Sequence, residues 1–153
     1  PDTEIFQLVD GEPQKSKLRE TIGNGKVVLF GLPGAFTSTC SKLHLPGFVA
    51  NADKIKAQGI QNIFCLSVND PYVMNGWGEI NNTGDKIKML SDPYLLFTKA
   101  IGAEVDRNAK GMGIRSNRYL MVIENFTVVN IHVEKETKEC GLTSAENLLN
   151  NLL

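Results

Sequence analysis

The chain has 153 residues, 42% of them hydrophobic, and a formal net charge of −1. That length suits one compact domain with enough interior to need neither metal nor disulfide staples. No long Lys/Arg run offers a phosphate backbone a footprint, and no apolar stretch approaches the roughly 20 residues that cross a bilayer, so neither nucleic acid nor membrane is an expected partner.

Strand-like and helix-like patterns alternate along most of the chain, with no internal repeat or low-complexity linker, which points to an α/β layer structure. The run Val27-Val28-Leu29-Phe30-Gly31-Leu32 is continuously apolar and reads as a central strand buried on both faces. Pro33 and Gly34 break it. Residues 41–58 read as a helix closed by Gly59, and Pro46 within it predicts a kink, because proline removes a backbone donor. Residues 62–68 form a second buried strand. Pro71 suits the first turn of a helix running to about Ile80, with Trp77 expected in the core. Residues 86–90 alternate as a third strand, and residues 94–101 form a short helix ended by Gly102. Residues 119–124 and 127–133 pattern as a hairpin around Asn125. Thr143-Ser144-Ala145-Glu146 has capping-box spacing with Thr143 as the N-cap, and Leu148, Leu149, Leu152 and Leu153 give the last helix its apolar stripe.

The cysteines number three: Cys40, Cys65 and Cys140. An odd, sparse set is no disulfide framework and suits a reducing compartment. The chain starts at Pro1 without a basic-then-apolar leader. The expected location is therefore intracellular, cytoplasmic by default, with a mitochondrial or plastid-type organelle open if a targeting peptide was removed upstream.

The segment from Gly31 to Cys40 is the most informative. A buried strand ends, a Gly/Pro turn follows, and a cysteine arrives at a helix start. The first N–H groups of a helix lack intrahelical partners and carry the positive end of its dipole. A sulfur anion is favoured there, and the anion is the nucleophile. Thr37, three residues earlier, can orient the sulfur and a bound oxygen together, and Pro33 can shield the site from bulk water. The competing reading is a buried, half-hydrophobic cysteine in a turn.

Pro33-Gly34-Ala35-Phe36-Thr37-Ser38-Thr39-Cys40 resembles the Pro-x-x-x-Thr-x-x-Cys signature of peroxiredoxins. His44-Leu45-Pro46-Gly47-Phe48 and Ser67-Val68-Asn69-Asp70-Pro71-Tyr72-Val73-Met74 resemble stretches of the type II and type V branch, and Arg115-Ser116-Asn117-Arg118-Tyr119 resembles the segment with the family's arginine. The matches follow the family order over nearly the whole chain. Ser38, where type II members often carry proline, and Phe126, where relatives often place glycine, are departures that leave the signature intact.

The resemblance implies a thioredoxin-like fold, a mixed central sheet flanked by helices, with Cys40 as peroxidatic residue and Thr37, Pro33 and Arg118 completing the site. It implies a thiol-dependent peroxidase that reduces hydrogen peroxide and alkyl hydroperoxides through a sulfenic acid on Cys40, in antioxidant defence and redox homeostasis. No cofactor and no metal is expected. From spacing alone, Arg118 could equally be a solvated charge before a strand, with Arg115 as second candidate. His44, one helical turn after Cys40, could tune the sulfur or be a hydrogen-bonded histidine near a dimer surface.

Cys65 lies in an apparent buried strand. Some plant type II relatives have a cysteine at the corresponding place, which makes Cys65 a candidate second redox cysteine, but packing is the plainer reading. Cys140 falls in an expected exposed loop, four positions before the place where type V relatives put a resolving cysteine. One-cysteine turnover by an external thiol, glutathione/glutaredoxin or thioredoxin, is the default, and the resemblance to the type II branch implies a homodimer. The rival from another class is a non-enzymatic redox sensor or relay that uses the same Cys40 oxidation.

Overall fold

The structure, a computed structural model, describes residues 1–153. The chain opens with a hairpin, β1 (Glu4–Val9) and β2 (Glu12–Lys17), followed by the short helix α1 (Leu18–Ile22). Then come β3 (Lys26–Gly31), a helix whose regular part is α2 (Leu45–Ala57), β4 (Asn62–Ser67), α3 (Pro71–Ile80), β5 (Lys88–Ser91) and α4 (Leu96–Ala100). A two-stranded ribbon, β6 (Glu104–Asp106) with β7 (Ile114–Ser116), precedes β8 (Tyr119–Glu124), β9 (Thr127–Val133) and the terminal helix, which begins as α5 (Ala145–Asn147). No helix is long and apolar enough to cross a membrane.

The main sheet has seven strands in the order β2-β1-β5-β4-β3-β8-β9. Its centre is parallel, β3 with β4 and β4 with β5, while β1 and β8 run antiparallel to their inner neighbours. Strand alternation divides the apolar residues between two cores. Val28, Phe30, Ile63, Cys65, Leu120 and Val122 face a core with α2, α3 and the terminal helix. Val27, Leu29, Phe64, Leu66, Tyr119 and Met121 face a second core with α1 and α4. The continuous apolar runs in β3, β4 and β8 exist because both faces of those strands are covered.

Several expectations are refined. The terminal helix is capped one residue later than the spacing suggests. Ser144 accepts from the Asn147 amide at 3.1 Å, whereas the buried Thr143 gives both its amide and its hydroxyl to Glu134 Oε1 at 2.9 and 3.0 Å. The third strand starts at Lys88 rather than residue 86, and α4 starts at Leu96 because Leu95 takes a left-handed conformation. The β8–β9 turn has positive φ at both Asn125 and Phe126, the pattern of a type I′ hairpin turn. Phe126 accepts this without a glycine's freedom, and the Arg19 guanidinium lies 5.5 Å from its ring centroid.

Candidate active site

Parallel strands point the same way, so the loops after β3, β4 and β5 gather at one end of the sheet, where α/β folds place their sites. Strand β8 runs back along β3 with Tyr119 opposite Gly31, so it begins where β3 ends and brings Arg118 to the same place. Asn69 ties the loops together. Its Oδ1 accepts from the Ala35 amide at 2.9 Å and from Ser67 Oγ at 2.7 Å, while Ser91 Oγ donates to its carbonyl. Gly34 sits in a tight space. A Cβ there would lie 3.1 Å from Arg115 Nη1. Arg115 itself is held by Nε donation to Met112 O at 2.8 Å.

The helix carrying Cys40 starts at Ser38, earlier than its apolar pattern indicates. It passes through a single π turn, Cys40–His44, before continuing as α2. Leu45 N–H reaches back five residues to the Cys40 carbonyl. The next residue, Pro46, has no N–H to offer, and its ring would collide with the carbonyl four residues back in a regular helix. The wider turn accommodates both constraints, and such turns recur at functional sites.

Arg118 is buried to 1% exposure, yet neither ion pair in the protein includes it. Its Nε and Nη2 donate to Thr137 O at 3.1 and 2.8 Å, Nη1 to His44 Nδ1 at 2.8 Å, and Nη2 to Cys40 Sγ at 3.2 Å. Buried charges are normally paired. Among these partners only the Cys40 sulfur can take a negative charge. The His44 pKa is lowered to about 3, first by burial and then by the Arg118 cation. The ring is therefore neutral at ordinary pH, and it rests against Phe30 with centroids 4.9 Å apart.

Thr37 Oγ1 donates to Gly34 O at 2.7 Å, which commits its proton and leaves its oxygen as an acceptor. Thr37, Arg118 and the otherwise buried Pro33 line the mouth above Cys40, a cleft of about 100 Å³. The four residues singled out from the signature, Cys40, Thr37, Pro33 and Arg118, thus meet at one place. A sulfur beside a buried cation, with an open acceptor and a small polar mouth, is equipped for attack on a small electrophilic oxygen.

The redoxin family model matches residues 1–149. The chain is 43% identical to peroxiredoxin-2D of Arabidopsis thaliana over 99% of its own length and 94% of that protein's. The chain belongs to the peroxiredoxins. Peroxiredoxin-2C of rice is 41% identical over 94% of the chain and 89% of the relative. The crystal structure of reduced Prx3 from Vibrio vulnificus in complex with H2O2 superposes with a TM-score of 0.91 at 42% identity, covering 97% of this chain and 92% of that one. The fold is thioredoxin-like, and the protein is a thiol peroxidase of the type II kind.

The other cysteines of this peroxiredoxin sit differently. Cys65 is wholly buried in β4, facing the core that Cys40 also enters from its π turn, and burial raises its pKa well above the ordinary value. Cys140 is half-buried rather than exposed, and burial again raises its pKa. Sequence reasoning missed the backbone carbonyl of Thr137, which anchors Arg118 and has no side-chain signature. It also missed Ser41, whose Oγ accepts from the Trp77 indole N–H at 3.0 Å and fastens the π turn to α3.

Proposed function

We propose that Cys40 reduces hydrogen peroxide and alkyl hydroperoxides and is itself converted to a sulfenic acid. The carrying observation is the 3.2 Å contact between Arg118 Nη2 and Cys40 Sγ, made by a buried guanidinium without a carboxylate partner. The thiolate attacks the terminal peroxide oxygen, an S–O bond forms as the O–O bond breaks, and the departing oxide takes a proton to leave as water or alcohol. Negative charge moves from sulfur to the leaving oxygen. Arg118 and the Cys40 amide are donors placed to follow it. Thr37 Oγ accepts from the peroxide O–H, and Pro33 keeps bulk water away from the sulfur.

An external thiol then restores the sulfur. The raised pKa values of Cys65 and Cys140 keep both protonated, and so poorly nucleophilic, at neutral pH. A reducing, intracellular compartment supplies such a thiol. The working form is a homodimer, consistent with the exposed apolar side chains Phe36, Leu43 and Leu142 on segments near the site.

Intact mass of the reduced protein after one equivalent of hydrogen peroxide tests this reading. A gain of one oxygen located on Cys40 is expected. Loss of two hydrogens would replace external turnover with an internal disulfide, and peptide mapping would identify Cys140 or Cys65 as its partner. An unmodified Cys40 would overturn the proposal.

A further inference from the structure

Beside the mouth at Cys40 lies a larger cleft of about 330 Å³, and Arg107, Thr137 and Lys138 line both. That volume is of ligand-pocket size. The larger cleft also contains Lys135 and one carboxylate, Glu136, which pairs with Lys138 at 3.2 Å. Three cations against one carboxylate form a locally positive surface on a chain whose net charge is −1. Neither attack on hydrogen peroxide nor the Arg118 network uses these side chains.

Arg107 is the guanidinium that lines both clefts, and no carboxylate of the protein pairs with it. Its Nε is buried and has no hydrogen-bond partner. A buried donor left unmatched costs about 1–3 kcal/mol, so this guanidinium is less well compensated than that of Arg118 and gains more from a nearby anion. A carboxylate is the matching group for a guanidinium, through planar, charge-assisted hydrogen bonds. The same wall is fixed to the catalytic machinery. Thr137 O accepts twice from Arg118, and Thr39 Oγ1 donates to Lys138 O at 3.3 Å.

We propose that Arg107 and Lys138, with Lys135 behind them, form a carboxylate-binding subsite that seats an anionic low-molecular-weight thiol while its sulfur reaches Cys40. The inference rests on Cys40 forming a sulfenic acid. The seated thiolate attacks the Cys40 sulfur, an S–S bond forms, the S–O bond breaks, and the hydroxide leaves as water after taking a proton. A second thiolate attacks the bound thiol's sulfur, releases the symmetrical disulfide and returns Cys40 as thiolate. The subsite lowers the energy of the first step by holding the reactant over the sulfur.

Stopped-flow reduction of pre-formed Cys40 sulfenic acid tests the subsite. The probes are glutathione and its diethyl ester, in which both carboxylates are masked, each rate being expressed per thiolate. Wild type should favour glutathione by about tenfold or more, and added salt should weaken that preference. Arg107→Gln and the exposed Lys138→Gln should each shrink the ratio toward one. Equal rates for the two probes, or a ratio indifferent to both substitutions, would overturn the subsite while leaving peroxide chemistry standing. Failure of hydrogen peroxide to oxidise Cys40 at all would instead overturn the peroxide reading beneath it. A parallel arm oxidises the protein with linoleic acid hydroperoxide and its methyl ester. If the substitutions alter that ratio and not the thiol ratio, the carboxylate belongs to the peroxide and the thiol assignment fails.

Discussion

His44 Nδ1 accepts from Arg118 Nη1 at 2.8 Å because its other ring nitrogen, Nε2, faces the Thr143 carbonyl at 3.0 Å and must carry the proton. The imidazole therefore joins the terminal-helix segment to the guanidinium as a neutral ring.

A pH dependence follows from that arrangement. His44 titrates near 6.5 in an unfolded chain and at about 3 in the folded one. Between those values the unfolded state binds more protons, so stability is full above pH 6.5 and declines as pH falls toward 3. His44→Gln removes this contribution. Urea midpoints at pH 7.5 and 4.5 should show the gap between wild type and variant narrowing by about 2 to 3 kcal/mol in acid. A gap of constant size would mean that the buried ring ionises as easily as a free one.

Cys40→Ser should abolish peroxide reduction, and substantial surviving turnover would move the chemistry to another residue. Arg118→Ala should slow oxidation by hydrogen peroxide by about a hundredfold or more, the usual scale for removing a donor aimed at developing charge. Arg118→Lys should recover only part of the rate, since an ammonium cannot reproduce the planar fork that meets Thr137, His44 and Cys40 together. Rapid-mixing rates of sulfenic acid formation check all three.

Gly31 and Tyr119 are cross-strand neighbours at the site end of the sheet, and a Cβ at Gly31 would come within 2.2 Å of the Tyr119 ring. Gly31→Ala should destabilise the fold by about 1–3 kcal/mol or more through overpacking. Tyr119→Phe should be neutral or slightly stabilising, because the buried hydroxyl it removes has no hydrogen-bond partner. Thermal melts distinguish the two, and a clear loss in the phenylalanine variant would contradict the unpartnered hydroxyl.

The three sulfurs should alkylate in a fixed order. Cys40, beside the Arg118 guanidinium on the π turn, reacts first, Cys140 follows more slowly, and Cys65, held inside β4 with a strongly raised pKa, reacts only on unfolding. Timed iodoacetamide labelling with peptide mass spectrometry gives the order directly, and early labelling of Cys65 would show that β4 opens.

Much of this was legible in the chain, for physical reasons. Strands β3, β4 and β8 are covered on both faces, so they announce themselves as apolar runs. The opening hairpin does not. All of β2 except Ser16 is exposed, and within β1 only Ile5 is buried, so no alternation betrays either strand. Arg118 could not be separated from Arg115 by spacing, because the choice depends on the β3–β8 register. Thr143 has an N-cap's spacing, but a carboxylate nine residues earlier claims its hydroxyl. The positive cleft joins Lys135 and Lys138, in the segment after β9, to Arg107 in the segment after β6, so no single run marks it.

The π turn also divides the molecule energetically. Its Leu45-to-Cys40 hydrogen bond precedes a proline that contributes none, so the sulfur-bearing turn is tied more loosely than the helix it leads into. Cys40 has no solvent exposure, so loosening of that turn widens access to its sulfur for a peroxide, an alkylating agent and a seated thiol alike. Segments held by few hydrogen bonds open at a fraction of the free energy of global unfolding. The ease of that small excursion is set by the turn itself and not by the stability of the sheet. Substitutions far from the turn can therefore change the melting temperature and leave turnover untouched.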